Sequence, residues 1–120
     1  MNIEQLREYC LHKKGVTEHF PFDETTLVFK VLDKMFLLTS LKAWEEGIQS
    51  INLKCDPEYA QELRAAHPCI APGYHMSKKH WNTIQLHNSQ LPTKFILELI
   101  DHSYDMVLKG IPKKLRDTIK

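Results

Sequence analysis

Two runs rich in β-branched and aromatic residues, Thr26 to Val31 and Met35 to Ser40, are separated only by Leu32-Asp33-Lys34. A parallel crossover needs a dozen or more residues, so this link forces the runs into an antiparallel hairpin. Ser50 to Lys54 supplies a third strand, after a polar connection that holds Trp44 and Gly47. A fourth strand-like run starts at Trp81, includes Thr83 and Ile84, ends near Leu86 and is turned by His87-Asn88-Ser89-Gln90. Before it, Pro68, Pro72 and Gly73 break the chain into a loop.

Three segments carry helical spacing. Ile3, Leu6, Tyr9 and Cys10 mark a helix from Ile3 to about Lys13, with Asn2 and Gln5 as a capping box and Gly15 just past its end. Phe20 to Asp23 then reads as an anchored loop, a proline between two aromatics. Asp56-Pro57 starts a second helix, because Asp caps open N–H groups and Pro is pre-set for the first helical position; it runs to about Ala66 and buries Tyr59, Ala60 and Leu63. The third begins near Pro92, carries Ile96, Leu99, Ile100, Ser103 and Val107 on one stripe, and stops at Gly110. A basic tail, Lys113 to Lys120, follows. With no βαβ alternation and no internal repeat, the expected fold class is α+β: a two-layer sandwich of an antiparallel sheet with flanking helices, in one domain over residues 1 to 120.

Charge is where function enters. The formal net charge is only +1, yet residues 63 to 97 hold four bases, no acid and four of the seven histidines, while residues 1 to 62 carry a net −4. An anionic partner is expected to meet the acid-free stretch, unless the fold packs the two segments side by side. No apolar run reaches the roughly 20 residues needed to cross a bilayer, and Met1-Asn2-Ile3-Glu4-Gln5 lacks a signal-peptide layout; no membrane partner and a cytoplasmic location are expected.

Known chemical signatures are sparse. Cys10, Cys55 and Cys69 are odd in number and form no CxxC, so free structural thiols are expected rather than disulfides, a zinc knuckle or a nucleophile. His75 and His80 are five residues apart and Cys69 lies six before His75, which matches no metal-site spacing. There is no GxGxxG or P-loop, and Asp23-Glu24 and Glu45-Glu46 read as solvated pairs, so neither a cofactor nor enzymatic activity is expected. The dense constellation is Gly73 to Thr83, in which Lys78 and Lys79 suit phosphates, His80 and Asn82 suit phosphate oxygens or base edges, and Trp81 can stack on an unpaired base. The same stretch also fits Trp81 as a core anchor beside a solvated lysine turn. Lys113, Lys114 and Arg116 form a second basic cluster.

Phe20-Pro21-Phe22, Leu27-Val28-Phe29-Lys30-Val31, Asn52 to Glu58, Pro72-Gly73-Tyr74-His75-Met76, Lys78 to Thr83, and Asp101 to Asp105 through Pro112 to Arg116 together resemble the MmcQ/YjbR family over nearly the whole chain. The resemblance implies a CyaY-like, frataxin-type α+β fold and a DNA-binding protein with a double-wing motif. Two positions depart from the family pattern: Ser77 replaces a common Asn, and His87-Asn88-Ser89 replaces an Asp-Gly turn. Frataxin-type iron binding would need an acidic first helix, whereas this one offers Glu4 and Glu8 interrupted by Arg7 and followed by Lys13 and Lys14. The expectation is therefore a non-enzymatic protein that binds DNA weakly through Lys78, Lys79, His80, Trp81 and Asn82, helped by Lys113, Lys114 and Arg116. The alternative is a small-molecule or protein-binding module whose pocket is lined by Tyr74, His75, Trp81 and Tyr104.

Overall fold

The computed structural model describes residues 1–74 and 76–119. In chain order the elements are α1 (Ile3–Leu11), β1 (Val16–His19), β2 (Thr26–Val31), β3 (Lys34–Ser40), α2 (Leu41–Glu45), β4 (Ser50–Lys54), α3 (Pro57–Ala66), β5 (Ile70–Pro72), β6 (Trp81–Gln85), α4 (Thr93–Lys109), α5 (Lys113–Arg116) and a 3₁₀ turn (Asp117–Ile119). The strands form one antiparallel sheet in the order β1-β2-β3-β4-β6-β5. The α+β, two-layer expectation holds: α1, α3 and α4 pack their apolar stripes on one face, around Phe29, Phe36, Leu37, Ile51, Leu53 and Ile84.

Several boundaries differ from the expectation. The hairpin turn is two residues, with Leu32 and Asp33 at φ 49° and 66° and Lys34 already paired with Val31. Two positive φ values are what a tight turn matching the twist of its strands requires. Helix α1 ends at Leu11 with His12 as C-cap, two residues before Lys13, and Gly15 at φ 75° turns the chain into β1 instead of closing the helix. The polar connection around Trp44 folds as α2, capped by the Ser40 side chain on the Ala43 N–H. Ile70–Pro72, within the expected loop, is an edge strand, a place where a residue without an N–H does not interrupt the ladder. The basic tail is α5 and the 3₁₀ turn, and Lys120 lies outside the described residues.

Beside the hairpin, Phe29 pairs with Leu37 but Lys30 with Met35, so Phe36 is an extra residue and both Phe36 and Leu37 reach the core. Between β3 and β4 only Leu37↔Leu53 and Leu38↔Asn52 pair. Beyond them Ser103 of α4 fills the gap: its hydroxyl donates to the Phe36 carbonyl and accepts the Lys54 N–H at 2.8 Å.

Candidate nucleic-acid interface

Strand alternation separates the sheet into a face covered by helices and a face without them. One rung of cross-strand pairs on the helix-free face runs His19, Val28, Leu38, Asn52, Thr83, Ala71 across all six strands. Beside it, all on one flank, lie Thr17, Lys30 and Met35 of β1 to β3 and Lys54 and Trp81 of β4 and β6. These positions include two lysines and one histidine and no Asp or Glu. Val28, Leu38 and Trp81, with Met35 and Met76, make a small second apolar cluster there.

Between β5 and β6, Tyr74 and Met76 lie against this face. Gly73 donates its N–H to the Trp81 carbonyl at 2.8 Å, and a Cβ at Gly73 would stand 2.8 Å from that of Trp81, so only glycine fits without displacement. The Tyr74 N–H donates to Thr83 Oγ1 at 3.2 Å, and Thr83 in turn donates to Asn52 Oδ1 at 2.6 Å. Ser77 accepts the N–H groups of His80 and Trp81, which closes the turn holding Lys78 and Lys79. Arg64, in the last turn of α3, fastens the segment from the other side of the sheet. Its guanidinium donates to Asn82 Oδ1 at 2.6 Å, to the Trp81 carbonyl at 3.1 Å and to the Lys78 carbonyl.

This geometry sorts the residues singled out from sequence. Lys78 and Lys79 are exposed, His80 is half-buried, and Tyr74 is 73% exposed. Trp81 is only 9% exposed and packs on Val28 and Leu38, so it is a core anchor and cannot stack on a base. Asn82 belongs to the helix-side rung with Leu53 and Leu37, is 1% exposed and is held by Arg64; its amide is out of reach of a ligand. Among the described residues its Nδ2 is buried without a hydrogen-bond partner, as is Nε of Arg116. Lys113 and Lys114 are exposed, although Lys113 pairs with Asp117 at 3.0 Å, and Arg116 is partly buried. Ile119 rests on Gly15, the residue before edge strand β1, so the C-terminal cluster flanks the sheet edge opposite β5.

The expected pocket is not assembled. Tyr104 belongs to the helix-side core, meets Phe36 edge-on at 5.5 Å and donates its hydroxyl to the Lys14 carbonyl, whereas Trp81 sits on the opposite face. His75 lies outside the described residues. Among the described residues, cavities lie elsewhere, of about 600 Å³ between α1, β1 and α2, and of about 710 Å³ beside the start of α4.

Sequence reasoning missed Lys30, Lys54 and Arg64. A signal for the lysines existed: alternation along β2 and β4 sets them opposite Phe29 and Leu53. Burial pushes the Cys10 thiol up to about 12 and the Cys55 thiol up to about 11, which keeps both protonated at neutral pH. Among the described residues no three His, Cys, Asp or Glu side chains are grouped to hold a metal ion, and no helix is long and apolar enough to cross a membrane.

A twisted antiparallel sheet with helices on one side and a carboxylate-free cationic surface on the other defines a small α+β domain class. The chain belongs to the YjbR (MmcQ) family, whose model matches residues 11–106. It is 33% identical over 116 residues to the protein YjbR of Escherichia coli strain K12, covering 97% of this chain and 95% of that one. It is also similar to the crystal structure of Deinococcus radiodurans protein DR2400, a DUF419 domain, with a TM-score of 0.87 and 42% identity over 98% of this chain and 87% of that chain. A Pseudomonas syringae protein structure matches with a TM-score of 0.72 and 32% identity, covering 88% of this chain and 98% of the other.

Proposed function

We propose that this protein binds DNA, without catalysis, by laying the phosphate backbone over the helix-free face and the turn that carries Lys78 and Lys79. The observation that supports this reading is the rung across all six strands, with Lys30 and Lys54 both on one flank of it and no Asp or Glu among these positions. Cations on a surface without acids are available to phosphates, and the exposed Tyr74 adds contact to sugar or base. Arg64 is a positioning residue here, because its charge is spent on carbonyl oxygens. In this reading the DNA runs across the strands, which at about 4.8 Å each span about 24 Å, and Lys113, Lys114 and Arg116 meet its far end beyond β1. A CyaY-like layout and a cytoplasmic location complete the proposal; α1 and α4 lying side by side on one sheet face, tied by the Tyr9 hydroxyl on Asp101 at 2.6 Å, fit that layout.

The test is anisotropy of a dye-labelled duplex at several salt concentrations. Four lysines releasing counterions give a slope of log K against log salt of about −3.6, steeper if the C-terminal cluster joins. Lys78→Ala with Lys79→Ala, and separately Lys30→Gln with Lys54→Gln, should each flatten the slope by about 1.8. No binding at low salt, or an unchanged slope in both double variants, overturns the proposal.

A further inference from the structure

We infer that the cavity between α1, β1 and α2 is a binding site for a small organic cation, an ammonium group on an apolar body. Its volume of about 600 Å³ falls in the range of ligand pockets. The floor is apolar: Leu27 is 1% exposed and stands beside Ile3, Leu41 and Trp44. The Trp44 indole is fixed, because its Nε1 donates to Thr39 Oγ1 at 2.8 Å and that hydroxyl donates to the Ser50 carbonyl at 2.6 Å. A rigid indole wall is the surface on which a cation gains most from an aromatic ring.

The rim selects the sign of the charge. It carries Glu4, Glu18 and Glu45 against Arg7, and stays anionic even with the α-amine of Met1 counted. Arg7 is no site for an anion: its Nε and Nη2 engage both Glu18 oxygens at 3.0 and 2.7 Å, and Nη1 engages Glu4 at 3.1 Å. An incoming carboxylate or phosphate would have to displace a glutamate from this fork. Glu45 closes α2 one residue after Trp44 and has no ion-pair partner among the described residues. An ammonium group between that carboxylate and the indole, with its apolar body on Leu27 and Leu41, satisfies both surfaces. The second cavity, of about 710 Å³ around His67, Cys69 and Phe95, has no carboxylate in its wall and serves as an internal control of similar size.

The experiment titrates the ¹⁵N-labelled full chain with 2-phenylethylamine at neutral pH and, separately, with phenylacetate, which keeps the ring and reverses the charge. Saturable amide shifts at Leu27, Leu41 and Trp44 are expected for the amine alone. Glu45→Gln, a change at an exposed position, should weaken the amine about threefold, as for an exposed ion pair. Tighter or equal binding of phenylacetate, amine shifts confined to His67 and Phe95, an unchanged affinity in the Glu45 variant, or no saturable shift at millimolar amine overturns the inference.

Discussion

Ser103 sits where β3 and β4 separate, and its one hydroxyl satisfies a strand carbonyl and a strand N–H at once. Ser103→Ala leaves both groups buried and unpaired, which costs about 1–3 kcal/mol. Urea unfolding should show a lower midpoint with an unchanged slope, and an unchanged midpoint would remove this role. Thiol chemistry gives a second check: Cys69 is partly exposed while Cys10 and Cys55 are buried, so iodoacetamide should label Cys69 first and the other two only on unfolding, as mass spectrometry of the native protein would report. At this scale the sequence was legible wherever a residue's neighbours declare its side of the sheet. Asn82 lies two residues before Ile84, so strand alternation turns it toward the core, and the polar character that suggested a ligand contact instead serves Arg64. What no local pattern could reveal is Arg64 itself, which meets residues 14 to 18 positions away.

Among the elements, α4 was legible in full because its stripe repeats over 17 residues, and Ser103 fell on that stripe as a buried polar position. β1, α2 and β5 were not: Val16–His19 has little apolar alternation, α2 is five residues long, and Ile70–Pro72 contains proline. Such short pieces are stabilised by pairing with neighbours already in place, which is tertiary information. One contact between elements also predicts a pH response. His102 of α4 accepts the Asp56 N–H on Nε2 at 3.2 Å, at the start of α3, with the Tyr59 ring edge-on at 5.2 Å. Burial lowers its pKa below the usual 6.5; Asp56 and Asp105 oppose that shift, and Lys109 adds to it. A protonated ring cannot accept this bond, so the unfolded chain takes up the proton first as the pH falls. The contribution is therefore present above about 6.5 and is lost as the pH drops from there through the lowered folded value. Urea titrations from about pH 8 down to about pH 5 should show this loss, and His102→Gln should flatten it.

Across the whole molecule the charges are distributed by face. The net +1 conceals an acidic cavity rim beside α1 and α2 and a carboxylate-free sheet surface behind it, joined through one apolar core. That core lies under β2, β3 and β4, with β1 and β5 at the edges. Native-state hydrogen exchange should accordingly be slowest in the central strands and α4, and faster by orders of magnitude in β1 and β5. Uniform protection across all six strands would show that the edges do not open separately.

The placement of the two tryptophans equips this protein with its own optical probes. Trp44 stands in the cavity wall on the helix side and Trp81 lies beneath the lysine turn on the other face. Each single Trp→Phe variant leaves one emitter, so occupancy of either face is observable without a label. With Trp44→Phe the remaining emission should respond to DNA and be indifferent to amine, and with Trp81→Phe the response should be reversed.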